Sequence, residues 1–227
     1  MFNSGGNMNN LVKTLLMVGS LIVASSCAIQ VGAHDSNGKD VDSVFGGIEI
    51  DSGSTVRDVS SVNGGIDIES GATARNVETV NGGIVLGNNV TIVSAETVNG
   101  GINAGNDLSV TKGLETVNGG IYVAQGGNVG GNIETINGDI ELIQVIVEKN
   151  LKTINGDITL AESSVVKGDL VIEKSGGWFS SVTGDKITIS IDKSSAVLGT
   201  IHLYKEVNLK ISEGAEIGQI ETHYLRE

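Results

Sequence analysis

The sequence predicts an all-β fold, a single-stranded parallel β-helix with about 18 residues in each triangular coil. Three observations lead there. The phrase Thr97-Val98-Asn99-Gly100-Gly101-Ile102 recurs with starts at residues 43, 61, 79, 97, 116, 135 and 153, spaced by 18, 18, 18, 19, 19 and 18. A finer period of six runs beneath it. The composition of the 227 residues, with 33 glycines, no proline, 3% aromatics and 39% hydrophobics, suits a narrow core that extends in one direction.

The phrase varies little. It reads Ser61-Val62-Asn63-Gly64-Gly65-Ile66, returns at Thr79 and Thr116, and becomes Thr-Ile-Asn-Gly-Asp-Ile from Thr135 and Thr153. A looser copy, Ser43-Val44-Phe45-Gly46-Gly47-Ile48, opens the series. A fixed repeat of this size marks a solenoid.

The period of six is carried by Val44, Ile50, Val56, Val62, Ile68, Ala74, Val80, Leu86, Ile92, Val98, Ala104 and Val110. One inserted residue precedes Val117, Val123 and Val129, and another precedes Ile136 and Leu142. Glu148 breaks the run beside Val147, and Ile154, Leu160, Val166 and Ile172 restore it. Three sixes make one coil, each a short strand and a bend with one apolar residue aimed at the axis. Coils then stack through backbone hydrogen bonds about 4.8 Å apart. A helix would repeat its apolar positions every 3.6 residues, which this chain does not do. A lone coil buries too few aliphatic side chains to offset the ordering of its backbone, so each coil leans on its neighbours.

On this reading Val62 and Ile66 both face inward, and the chain between them turns through Asn-Gly, a step that tolerates positive φ. Asn63, Asn81, Asn99, Asn118, Asn137 and Asn155 are expected to form a ladder, their amides bonded from coil to coil.

The chain divides in order. Residues 1–27 read as a signal peptide: Lys13 precedes an apolar run over residues 15–24 that is too short to span a bilayer. Met8 offers a more usual start. Cys27, the single cysteine, ends Val23-Ala24-Ser25-Ser26-Cys27, which looks like a bacterial lipobox whose cysteine is lipidated; this implies a membrane partner through a lipid anchor. The other reading is ordinary cleavage after Val31-Gly32-Ala33, giving a periplasmic or secreted protein. Either way the chain is expected to be exported to the cell envelope, as an outer-membrane lipoprotein in the first case, and no disulfide staples it. Residues 28–42 are expected to form a polar tether or the start of a cap, residues 43–221 the β-helix, and residues 222–227 a tail. The rhythm fails near 173–186, an inserted loop carrying Trp178 and Phe179 as candidate contact residues. A relic of the phrase, Ser181-Val182-Thr183-Gly184-Asp185, follows.

The net charge of −13 excludes a nucleic-acid partner, since phosphate binding needs a basic surface. Glu78, Glu96, Glu115 and Glu134, each just before a Thr, form a second row. It reads as a solvated edge or, alternatively, as a divalent-cation ladder, because calcium prefers carboxylate oxygens. The Gly-Gly-x-Gly-x-Asp nonapeptides of calcium-binding β-rolls are absent. His34, His202 and His223 are tied by spacing to no recurring acid or nucleophile and read as surface residues. The stretch Leu86-Gly87-Asn88-Asn89-Val90-Thr91-Ile92 looks locally like hexapeptide acyltransferases. Those enzymes need a catalytic histidine within the coils, and none occurs between residues 43 and 200. The acidic or basic clusters of β-helical lyases and the Thr-x-Thr rows of ice-binding helices are missing too. The expectation is a protein without catalytic activity or cofactor.

The Val-Asn-Gly-Gly/Asp-Ile phrases over residues 43–160 resemble those of bacterial putative-adhesin β-helix domains. The later stretches Ser164-Val165-Val166-Lys167-Gly168-Asp169-Leu170 and Leu209-Lys210-Ile211-Ser212-Glu213-Gly214-Ala215-Glu216-Ile217-Gly218 are similar to bactofilins, which form polymers of right-handed β-helices stacked through uncapped ends. The resemblance implies a right-handed coil and either an adhesin-like envelope scaffold or self-association through open ends. A surface module that binds carbohydrate or cations, using the faces around Tyr122 and Trp178, is the third expectation.

Overall fold

A computed structural model describes residues 29–32, 38–174 and 186–224. Cys27, Trp178, Phe179, Ala33, His34, the relic phrase and the last three residues lie outside the described residues. Among the described residues there is no helix, and the strands assemble into three parallel sheets. The first sheet has ten strands, from Ile29–Val31 to Asn208–Ile211. The second has seven, from Thr91–Ile92 to Glu216–Ile217, and the third has ten, from Val41–Phe45 to Ile220–Thr222. The chain visits the sheets in rotation, so each strand pairs with the equivalent strand one coil before and one coil after. This is a parallel β-solenoid.

Register explains why one residue type recurs down the axis. Ile48, Ile66, Ile84, Ile102, Ile121, Ile140, Ile158 and Ile189 are successive Cα partners in the first sheet, and all are buried. A branched side chain stacked on its own copy fills the same cross-section in each coil. Equivalent residues lie 18 or 19 apart along the repeats, the separation rises to 31 across the segment after Lys174, and in the last coil it is 19 or 20.

Four features differ from expectation. First, residues 28–42 are not simply a tether: Ile29–Val31 pairs with Ile48–Ile50, and Val41 opens a core strand. Sequence polarity in 34–40 hid two short apolar stretches at its ends. Second, one third of the sixes points the wrong way. Val62, Val80, Val98, Val117, Ile136 and Ile154 are half-buried on the outer face, while Ser61, Thr79, Thr97, Thr116, Thr135 and Thr153 are the buried side chains beside them. The strand alternates with a period of two, and the inward positions of Ala95 and Leu114 set the phase.

Third, the Asn-Gly step is for the most part not a positive-φ turn: of the glycines at this place, Gly46 (102°) in the looser copy, Gly138 (158°) and Gly156 (159°) have positive φ, the last two close to extended, and those at 64, 82, 100 and 119 do not. The non-glycine residues with positive φ, among them Asn89 (57°), Asp107 (57°) and Gln144 (54°), sit between the first and second sheets instead. Glycine is needed in the phrase for closeness: a Cβ on Gly100 would lie 2.0 Å from the carbonyl oxygen of Gly82 in the coil before. Fourth, Val147 takes the buried place that the sixes assign to Glu148. The corner at Gln144 is one residue shorter than its neighbours, which shifts the count without disturbing the second sheet, where Ile146 and Val147 keep register with Asn128 and Val129.

Candidate functional site

The third sheet and the corner that follows it carry the longest columns of like polar side chains. At the corner, Nδ2 of Asn81 donates to Oδ1 of Asn63 (3.0 Å), and the same bond joins Asn99 to Asn81, Asn118 to Asn99, Asn137 to Asn118 and Asn155 to Asn137 at 2.9–3.0 Å. Each internal asparagine both donates and accepts. Nζ of Lys205 donates to Oδ1 of Asn155 (2.9 Å), and Nδ2 of Asn63 to the carbonyl of Val44 (3.3 Å), so both ends of the chain are closed.

A second column lies inside. Oγ1 of Thr79, Thr97, Thr116 and Thr135 donates to the carbonyl of Gly64, Gly82, Gly100 and Gly119 at 2.8–3.0 Å. The hydroxyls of Ser61 and Thr153, at the two ends of this run, have no partner among the described residues. The same corner is also bound by side chain to backbone, where the amide of Asp157 donates to Asp139 Oδ1, and so are the other two corners, where the amide of Asn106 donates to Asn88 Oδ1 and that of Asp169 to Asn150 Oδ1, at 2.8–2.9 Å.

On the outer face of the third sheet the column Glu78, Glu96, Glu115, Glu134, Lys152 is in direct register. The carboxyls are half-buried beside the outward Val and Ile stripe. Burial, with the Asp58 charge adding, raises Glu78, and burial with the Glu78 charge raises Glu96. Burial pushes Glu115 up to about 7; the charges of Glu134 and Glu96 add to this, and Lys152 opposes it. Lys152 itself pairs with Glu173 at 2.8 Å, and Glu134 accepts from Asn132 Nδ2 at 2.9 Å. A small recess is lined by Glu115, Thr116, Val117, Glu134, Thr135, Ile136, Lys152 and Ile154. Of the two carboxyls that line it, Glu115 is the one that burial pushes up to about 7.

At the first coils the column is capped by ion pairs. Arg57 grips Asp40 through two nitrogens and Arg75 grips Asp58 in the same way. The Arg57 bond, with help from the Asp58 amide, holds Asp40 down at about 2.

The glutamate ladder does not gather into a chelating group. Among the described residues, the three side chains of His/Cys/Asp/Glu type whose ligand atoms converge within 4.8 Å are His202, Glu221 and His223, at the far end of the same face. Sequence reasoning took these histidines as unrelated surface residues. The signal was available: Glu221 lies one coil, 19 residues, after His202, and His223 lies two residues further on the same side of a strand. The interruption near residue 175 hid it, because the count of sixes had to restart there.

No protein-family model, no curated protein and no solved structure matches the chain. The class that the fold and its columns define is therefore the parallel β-solenoid, a repeat protein whose coils are tied by ladders of like side chains.

Proposed function

We propose that the protein is a non-enzymatic structural scaffold of a Gram-negative-type cell envelope, exported, held at the outer membrane by a lipid on Cys27, and presenting its long sheet faces as an adhesin-like surface. The observation that carries this reading is the Asn63 to Asn155 ladder. Six copies of the most repeated polar residue spend both their donors and acceptors on one another and on the next coil. A repeat selected for stacking in this manner supports a rod whose product is its shape and surface. Metabolic labelling with a fatty-acid probe, comparing the wild-type chain with Cys27→Ser and followed by membrane fractionation, tests the anchor. Label that persists in Cys27→Ser, or a wild-type chain found wholly in the soluble fraction, overturns it and favours cleavage after Ala33.

A second reading, a bactofilin-like polymer, is favoured by the last described coil. Leu209, Ile211, Ala215 and Ile217 are only partly buried there, Ile220 is 45% exposed, and the strands Asn208–Ile211, Glu216–Ile217 and Ile220–Thr222 are paired on one side only. A second copy of the chain is the occupant that matches both the apolar cross-section and the parallel edge. Sedimentation at several concentrations tests it: a mass that stays monomeric throughout retires the polymer.

A further inference from the structure

We propose that His202, Glu221 and His223 form a binding site for a transition-metal dication, zinc in the first instance, on the outer face of the third sheet. His202 lies on the strand Ile201–Leu203 and Glu221 on the strand Ile220–Thr222, and the two are Cα partners across adjacent coils. His223 follows Glu221 by two residues and is anchored by its amide, which donates to the Leu203 carbonyl at 2.8 Å. Strand alternation thus sends all three side chains to the same side.

The three ligand atoms form a nearly regular triangle. Nδ1 of His202 is 3.2 Å from Nε2 of His223, Oε2 of Glu221 is 3.4 Å from the first nitrogen, and it is 3.7 Å from the second. A tetrahedral zinc ion with bonds of about 2.0–2.1 Å holds its ligands about 3.3–3.4 Å apart, so an ion fits over this triangle after shifts of a few tenths of an ångström. The fourth position faces solvent, since Glu221 and His223 are both exposed. Two imidazole nitrogens that face each other need a proton between them or a cation that takes both lone pairs. The adjacent carboxylate supplies the charge that favours the cation.

The rings are also held. Tyr204 stacks on His223 with centroids 4.3 Å apart and planes at 16°, while the His202 and His223 rings meet edge to edge, with centroids 5.4 Å apart and planes at 27°. Behind the cluster, Oδ2 of Asp169 lies 3.9 Å from the second ring nitrogen of His202, while Oδ1 of Asp169 accepts from the Thr200 amide at 2.8 Å. At 3.9 Å the Asp169 contact is not a hydrogen bond, and the carboxylate behind the ring favours a bound cation through its charge. Two nitrogens and one oxygen select zinc-like ions over calcium or magnesium, which want oxygen throughout. An ion here would clamp the last described coil to the one before it.

The test is titration of the full chain with zinc by calorimetry, and with cobalt(II) by visible absorption, which reports tetrahedral coordination. The expected result is one saturable ion per chain, lost in His202→Ala and in His223→Ala. Glu221→Gln, which leaves the side-chain volume intact, weakens binding about 10–100-fold, and Asp169→Asn weakens it less. His34→Ala and Cys27→Ser leave it unchanged, and calcium does not compete. Far-UV circular dichroism confirms that each variant is folded, and the exposed His223 serves if His202→Ala is not. Absence of saturable zinc or cobalt binding overturns the site. So does binding that survives in folded His223→Ala and Glu221→Gln, or a cobalt spectrum that disappears in Cys27→Ser alone.

Discussion

Thr97 donates its Oγ1 hydrogen to the carbonyl oxygen of Gly82, 2.8 Å away and one coil back. The bond explains why the phrase pairs Thr with Gly. The first glycine of each phrase brings its backbone so near the next coil that no side chain fits, and its carbonyl, turned from the strand ladder, needs another donor. The inward threonine of the following coil supplies it. A buried carbonyl left unpaired costs more than the bond returns.

Thr97→Val keeps the shape and removes the donor. Chemical denaturation should show a loss of about 1–3 kcal/mol, and Thr97→Ser should recover most of it. Equal stability of the valine variant and wild type would mean that the Gly82 carbonyl finds water instead.

Gly100→Ala places a methyl group 2.0 Å from the Gly82 carbonyl oxygen, a clash with backbone that no rotamer relieves. The two coils must part, and in a solenoid that loosens their neighbours as well. Hydrogen exchange should accelerate in the coils on both sides of residue 100. Val98→Asp, on the outer face, should be far milder than Ile102→Asp in the core, and thermal melts of the two rank them directly.

Asn99→Ala removes the bond donated to Asn81 and the one accepted from Asn118. Both are exposed to solvent, so a loss of about 1 kcal/mol is expected for the pair. Double-variant cycles with Asn118→Ala should show coupling that vanishes between Asn63 and Asn155, which do not touch.

The glutamate column predicts a pH dependence. Glu115 titrates near 7 in the fold against an ordinary value of 4.5, so between those limits the folded chain holds a proton that the unfolded chain has released. Stability is therefore highest at the acid end of that window and falls as the pH rises through it. Because the carboxyl is partly solvated, the fall from this group is on the order of 1–2 kcal/mol. Glu78 and Glu96 act in the same direction. Asp40 and Asp58 are depressed by their arginines, so their contributions are already complete where the window begins and do not mask the slope. Glu115→Gln should flatten the profile; an unchanged slope would show that the column is fully hydrated.

Much of the fold was legible: the recurrence of Ile66, Ile84 and Ile102 gives the length of a coil, and the period of six through Ile68, Ala74 and Leu86 divides it into three sides. The inserted residues before Thr116 and Thr135 could be placed at one corner by counting. What could not be read was phase. Thr97 and Val98 are adjacent, one is buried and the other is not, and a period of six fits either. The His202 cluster was harder to read for a related reason: its three members all lie after the break at 175, where no copy of the phrase marks the register and the coils measure 19 or 20 residues.

The sequence by itself determined the period, and with it the parallel solenoid, because any chain that repeats apolar residues every sixth place and glycine every eighteenth can satisfy its backbone only by stacking on itself. Tertiary structure decided which way each side chain faces, since that follows from the strand's two-residue alternation set by contacts with neighbouring coils. It decided that glycine is present in the phrase for space between coils, a distance that exists only once Gly100 lies against Gly82. It also brought His202, Glu221 and His223 together, because proximity across coils depends on register and a linear count loses register at every insertion.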